Sequence, residues 1–171
     1  MSNKITVPTR KTHRVGVLVD VQNMYHSAKN LYHARVNFRE LLKLATADRD
    51  LIRALAYVVK SDTEEEKAFF DALEKAGYEL KMKDLQVFAG GAKKADWDVG
   101  LAIDAVTLAK QLDVLVIVSG DGDFVPLVEY LKFNGLIVEV LAYERSGSAR
   151  LIESANNFFD LEEYKRKILL K

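Results

Sequence analysis

Residues 114–118 read VLVIV, five apolar residues with no polar alternation. A strand that is apolar on both faces must be covered on both faces, as the central strand of a parallel sheet is by helices. Comparable runs occur at 15–19 (VGVLV), 51–59 (LIRALAYVV) and 136–142 (LIVEVLA), and a further strand is expected over roughly 78–87. The segments between them carry helix signals. Helices are expected from about Asn23 to Tyr32, then from an N-cap at Asn37 through Leu44, with Glu40 completing a capping box. Thr63 and Glu66 form a second capping box for a helix closed by Gly77. Further helices are expected from about Asp96 to Gln111 and from Asp123 to Asn134. Pro126 falls in the first turn of the last of these, where a missing N–H costs little, and Gly135 caps it. Strands alternating with helices predict an α/β fold of three layers, with a mainly parallel five-stranded sheet between helices. Beyond the fifth strand we expect a short helix near 148–154, an extended piece at 157–161 and a charged helix to Lys171. There is no internal repeat.

With 171 residues, 49% of them hydrophobic and 29% charged, one ordinary globular domain is expected. The divisions are a flexible N-terminal tail over 1–13, in which Ile5 and Val7 can touch the domain, the domain itself over 14–160, and a helical extension over 161–171. The absence of cysteine excludes disulfides, thiolate zinc sites and a cysteine nucleophile, and fits a cytoplasmic protein. No apolar run approaches the roughly 20 residues of a membrane helix, and the N-terminus has no apolar signal core. The net charge is zero, so a phosphate-binding surface must be a local basic patch.

Ligands of open α/β sheets bind outside the carboxyl ends of the strands. Asp20 ends the first strand, and Asp121 and Asp123 follow the fourth in SGDGDF. At 100° per residue, Asp98 shares a helix face with Leu101, Ala102, Ala105 and Ala109, which is the core-facing side, while Asp104 lies in the polar stripe with Thr107 and Gln111. Each acid also has a purely structural reading. Asp20 and Asp123 can be turn or cap residues, Asp98 a first-turn acid favoured by the helix dipole, and Asp104 solvated surface. Convergence on one edge favours function. Several carboxylates cannot share a small site as free anions, so either some take up protons or a cation joins them. His13 is assigned to the tail and His26 and His33 to a helix, so no histidine is expected at the site. All-oxygen ligation suits a hard ion such as Mg²⁺ or Mn²⁺.

Three segments, VGVLVDVQNMY (15–25), KKADWDVGLAIDAV (93–106) and VLVIVSGDGDFVPLVEYL (114–131), resemble the NYN domain family, in particular its LabA-like branch within the PIN-like nuclease superfamily. The resemblance covers about 14–160. It implies a Rossmann-like sheet of order 3-2-1-4-5 and an acidic site for Mg²⁺ or Mn²⁺. By position, Asp20, Asp98 and Asp121 would be metal ligands and catalytic acids, with Asp123 a further ligand or supporting acid. Asn23 would orient a ligand or water, Ser119 would support the site, Lys94 would meet phosphate, and Asp104 matches a recurrent family acid.

Lys81, Lys83, Lys93 and Lys94 can form a phosphate patch, or a solvated face. Trp97 and Phe88 can stack on bases, or pack. Tyr25 and Tyr32, seven apart, should share a helix face and pack. The tail YKRKILLK can bind RNA or a partner, or dock as a terminal helix.

The expected function is therefore a metal-dependent endoribonuclease acting on single-stranded RNA, possible as a homodimer. The alternative is a non-catalytic RNA- or protein-binding module that keeps the fold. A phosphatase with an aspartyl nucleophile needs an acid two residues after Asp20, where Gln22 stands. A dinucleotide enzyme needs a Gly-x-Gly-x-x-Gly that does not follow the first strand.

Overall fold

A computed structural model describes residues 3–87, 93–94 and 96–170. In chain order the elements are β1 (Lys4–Ile5), β2 (Arg14–Asp20), α1 (Val21–Tyr32), β3 (Arg35–Val36), α2 (Phe38–Thr46), β4 (Asp50–Lys60), α3 (Glu64–Ala76), β5 (Glu79–Asp84), β6 (Gln86–Val87) and β7 (Lys93–Lys94). They continue as α4 (Asp98–Leu108), β8 (Val114–Val118), α5 (Val125–Phe133), β9 (Ile137–Ala142), α6 (Ala149–Ser154), β10 (Asn157–Asp160), α7 (Lys165–Ile168) and β11 (Leu169–Leu170).

The unalternated strand runs have the expected cause. In β2, Val15, Val17 and Val19 belong to one buried cluster, with α1 and α2, while Leu18 belongs to the other, with α4 and α5. In β8, Val114, Val116 and Val118 face the first cluster and Leu115 and Ile117 the second. Each strand therefore feeds two cores, and polar residues have no face to occupy.

The main sheet has the order β1-β10-β9-β8-β2-β4-β5. All its pairings are parallel except β1 with β10. This corrects the expected five-stranded sheet. The five anticipated strands keep their relative positions, but the sheet has seven strands and runs on past β9, so the order across the whole differs. The extra pairings come from the segments whose sequence is least regular. The extended piece at 157–160 becomes β10, and the N-terminal segment expected as a flexible tail supplies β1 against it. Asn157 fixes that segment: its side-chain oxygen accepts from Thr6 N and Val7 N, both at 3.0 Å, and its Nδ2 donates to the Val7 carbonyl at 2.7 Å.

The C-terminal segment is also only partly the expected helix. A 3-10 turn at Leu161–Tyr164 leads into the short α7, and β11 pairs antiparallel with β3. Leu161 and Ile168 are buried in the first core. The expected third strand is divided: β5 joins the main sheet, while β6 turns away to pair with β7. Phe88 and most of its glycine-bearing loop lie outside the described residues.

The expected capping boxes form in half. Asn37 and Thr63 accept from the N–H three residues on. Glu66, however, accepts from Ser61 N and Asp62 N rather than from its cap residue, and Glu40 turns to Lys43. Gly77 closes α3 at φ 114°, a conformation side chains disfavour. No helix among the described residues is long and apolar enough to cross a membrane.

Candidate functional site

The carboxyl ends of β2 and β8 lie side by side, so the turns after them meet. Asp20 is the N-cap of α1: one side-chain oxygen accepts from Asn23 N at 3.1 Å and the other from Ser119 Oγ at 3.1 Å. The cap reading and the site reading therefore hold for the same residue. Ser119 is wholly buried and its Oγ also accepts from Asp121 N at 3.2 Å, so one hydroxyl links two of the acids. Asn23 accepts from Gly120 N at 3.0 Å, tying the first strand's turn to the fourth's. Gly120 is needed there, because a Cβ would stand 2.9 Å from the Gly147 Cα. Asp121, not Asp123, caps the following turn by accepting from Asp123 N at 2.9 Å. That corrects the expected cap of α5, which begins only at Val125.

Asp98 opens α4 with no side-chain cap on its helix, and its own N–H donates to Asp96 Oδ1 at 3.3 Å. The expected core-facing stripe is real: Leu101 and Ala105 are fully buried. Asp20, Asp98 and Asp121 each present one oxygen within 4.8 Å of the other two. Two unit charges 4.8 Å apart repel by about 3–4 kcal/mol at an effective dielectric near 20. Among the described residues, no lysine or arginine forms an ion pair with any of the three. The electrostatic consequence falls on Asp98, whose carboxyl is pushed up to about 6 by burial first and then by the charges of Asp121, Asp96, Asp20 and Asp123. Burial also raises Asp20, against the lowering effect of the Asn23 N–H and the Ser119 hydroxyl, with Asp121 and Asp96 adding to the rise. A hard divalent cation fits this donor set, which is all carboxylate oxygen, close together and without an ion-pair partner among the described residues.

The remaining expected site residues are placed less centrally. Asp123 is exposed; its backbone N–H donates to Asp121, and its carboxylate acts on the cluster through its charge on Asp98. Asp104 sits farther along α4, where it accepts from Tyr57 OH at 2.8 Å and meets Lys81 Nζ at 3.7 Å. It is outside the three-acid cluster. Lys83 Nζ donates to the Asp96 carbonyl at 2.7 Å and lies 4.8 Å from the Trp97 ring centre. Trp97 is itself engaged, donating from Nε1 to the Val58 carbonyl at 2.8 Å and meeting Tyr57 edge-on. Lys93 and Lys94 form β7, and their side chains lie outside the described residues.

Four residues of the site were not anticipated. Asp96, Tyr57, Gln22 and His26 line the same cleft of about 190 Å³ as Asp20, Asn23, Asp98 and Asp121. The expectation that no histidine reaches the site is thus corrected. His26 lies three residues after Asn23 on the same helix, a same-face spacing that could have signalled it. Asp96 had a signal too, lying two residues before Asp98. Tyr25, expected to pack beside Tyr32, is 45% exposed, whereas Tyr32 packs against Tyr143 at 5.4 Å.

A parallel sheet with acids gathered where its two central strands end defines a class of α/β proteins with an acidic site at the strand ends. The chain is a member of the NYN domain family, whose model matches residues 14–162. It is similar to the low amplitude and bright protein LabA of Synechococcus elongatus, at 24% identity over 159 residues, which is 89% of this chain and 86% of LabA. The crystal structure of a Vibrio parahaemolyticus protein of unknown function superposes with a TM-score of 0.85 at 32% identity, covering 96% of this chain and all of that one. The bacteriophage T5 D15 protein, co-crystallised with metal ions, aligns at a TM-score of 0.44 and 16% identity, over 90% of this chain and 59% of its own.

Proposed function

We propose that the protein is a divalent-metal-dependent endoribonuclease that hydrolyses phosphodiester bonds of single-stranded RNA. The observation that carries this reading is the convergence of Asp20, Asp98 and Asp121, from three distant segments, to within 4.8 Å with no countercharge among the described residues. Membership of the NYN family supports it. Asp20, Asp98 and Asp121 would hold Mg²⁺ or Mn²⁺. When bound, the ion supplies charge to a phosphoryl oxygen and lowers the pKa of a water.

The chain's own residues do the positioning. Ser119 and the Asn23 N–H hold both oxygens of Asp20. Asn23 and Ser119 lock the Gly120–Asp121 turn that presents the third acid. The Asp98 carboxyl is raised by burial and by the neighbouring acids, so a bound cation would favour its ionised form. Asp96 adds negative charge beside it and suits a supporting role.

The test is cleavage of varied single-stranded RNAs by purified protein with Mg²⁺ or Mn²⁺. Activity should require the ion and be abolished by Asp20→Asn and by Asp121→Asn. Protein that is inert with both ions, or variants that cleave as fast as the parent, would overturn the reading. RNA or protein binding that survives both substitutions and removal of the ion would instead establish a non-catalytic module.

A further inference from the structure

The carboxylate cleft does not end at Asp20. Gln22 and His26 on α1 line it and also line a second, larger cleft of about 530 Å³. The two depressions therefore share a wall on the helix that Asp20 caps. The second cleft is aromatic. Phe69 and Phe70 of α3 are only half-buried there, and Tyr25 meets His26 edge-on at 5.4 Å. The side chains of Gln22, His26 and Arg35 are exposed, and among the described residues none of them makes a hydrogen bond or an ion pair. Free donors lining one cleft with half-open aromatic rings are not a demand of core packing. They are the make-up of a site for a flat, polar-edged ligand.

We propose that this cleft is a base-binding subsite, which receives the nucleobase of the RNA nucleotide next to the one held at the carboxylates. The identity of the polymer rests on the ribonuclease reading above. Charge decides that the base, not the backbone, enters. Glu65 and Glu66 line the cleft and repel phosphate. Glu66 already accepts from Ser61 N, Ser61 Oγ and Asp62 N, so Glu65 is the carboxylate left to accept from the amino group of a base. Tyr25, exposed and beside His26, offers the stacking surface. Arg35 is the cation available to the connecting phosphate.

The experiment uses the full chain in an Asp98→Asn background with Mg²⁺, which blocks cleavage under the ribonuclease reading. The probe is a fluorescein-labelled single-stranded RNA octamer followed by anisotropy. Adding Tyr25→Ala should weaken binding about tenfold, within the range of a lost base–aromatic stack. Arg35→Ala should weaken it several-fold and flatten the salt dependence by about one phosphate contact. Phe133→Ala, at a fully solvated position on α5, should change nothing. A scan of single abasic positions then separates base from backbone. At one position the abasic octamer should bind as weakly to the parent as the intact octamer binds the Tyr25 variant, with no further loss on combining the two. Equal affinity of the Tyr25 variant, losses that add at every position, or no binding of RNA at all would overturn the subsite. Outcomes for the two proposals stay separable. Binding with this pattern but no cleavage by the unmutated chain removes the nuclease and keeps the subsite. Cleavage with an unchanged KM in Tyr25→Ala keeps the nuclease and removes the subsite.

Discussion

Acids withdrawn from water on β9 and at the ends of β2 and β8 are compensated in opposite ways. Glu139, on β9, is 2% exposed, yet every oxygen is bonded. Arg49 donates to its two oxygens at 2.8 and 3.1 Å, and Asn157 Nδ2 adds a third bond at 2.9 Å. The other donors of Arg49 go to the Thr46 and Ala45 carbonyls and to Thr9 Oγ1. Asp20, Asp98 and Asp121 are less buried but meet one another, and among the described residues none of them pairs with a cation. Depth of burial therefore does not separate the two cases. The Glu139 network of charges is closed without a ligand, while the three-acid cluster has no ion pair among the described residues and so has a reason to bind a cation.

The largest effect expected from this contrast is on folding. Arg49→Ala leaves Glu139 buried and unpaired, which should cost about 3–5 kcal/mol, read as a shift of the urea unfolding midpoint at pH 7. A loss under about 1 kcal/mol would mean that water or rearrangement replaces the pair, and the contrast would collapse. Next in size is the response to metal. At a free Mn²⁺ or Mg²⁺ concentration about 100 times the dissociation constant, stability should rise by about 2.7 kcal/mol. Thermal melts should show that rise in the parent chain and in Arg49→Ala, and lose it in Asp98→Asn. A rise that survives Asp98→Asn places the ion elsewhere.

The same contrast explains what could be read in the sequence. The strands β2, β4, β8 and β9 were legible because their apolar runs admit only a covered strand. Asp20 and Asp121 were legible because they stand where such strands end. Asp98 needed one more step, its place on the apolar face of α4. Local pattern failed where partners come from afar. Glu139 interrupts LIVEVLA with no visible reason, since its partner Arg49 lies 90 residues away. The short strands β1 and β10 carry no periodicity of their own: β10 is held by β9, and β1 by β10 and Asn157. Asp123 looked like a cap because it precedes a helix by the right distance, but a 3-10 turn intervenes and Asp121 takes that role.

A smaller, pH-dependent effect isolates the open network. The Asp98 carboxyl rises from 3.8 to about 6 on folding. The folded state therefore holds this proton to higher pH than the unfolded chain. The stabilisation is full below the unfolded value and is lost as pH rises through the folded one. Metal-free parent protein should lose stability between pH 4 and 7 relative to Asp98→Asn. Because water reaches part of the group, the difference at neutral pH should be only about 1 kcal/mol. Excess Mg²⁺ should remove it. Parallel profiles for parent and variant would show that the acids do not repel as the geometry requires.

The smallest effect concerns Lys83, a cation placed beside the cleft that pairs with none of the three acids. Its ammonium donates to the Asp96 carbonyl and lies over Trp97, so it is held by a backbone oxygen and a ring rather than by a carboxylate. Lys83→Ala should therefore cost only about 0.5–1 kcal/mol of stability, the size of a partly exposed cation–ring contact. The Asp98 titration midpoint, followed by carbon NMR of the side-chain carboxyl, should barely move. If Lys83 were the countercharge of the cluster, its removal would raise that midpoint by about a full pH unit or more, as loss of a nearby opposite charge does. The two outcomes separate a lysine that braces Trp97 against the site from one that completes the site, and only the first leaves the three acids open to a metal ion.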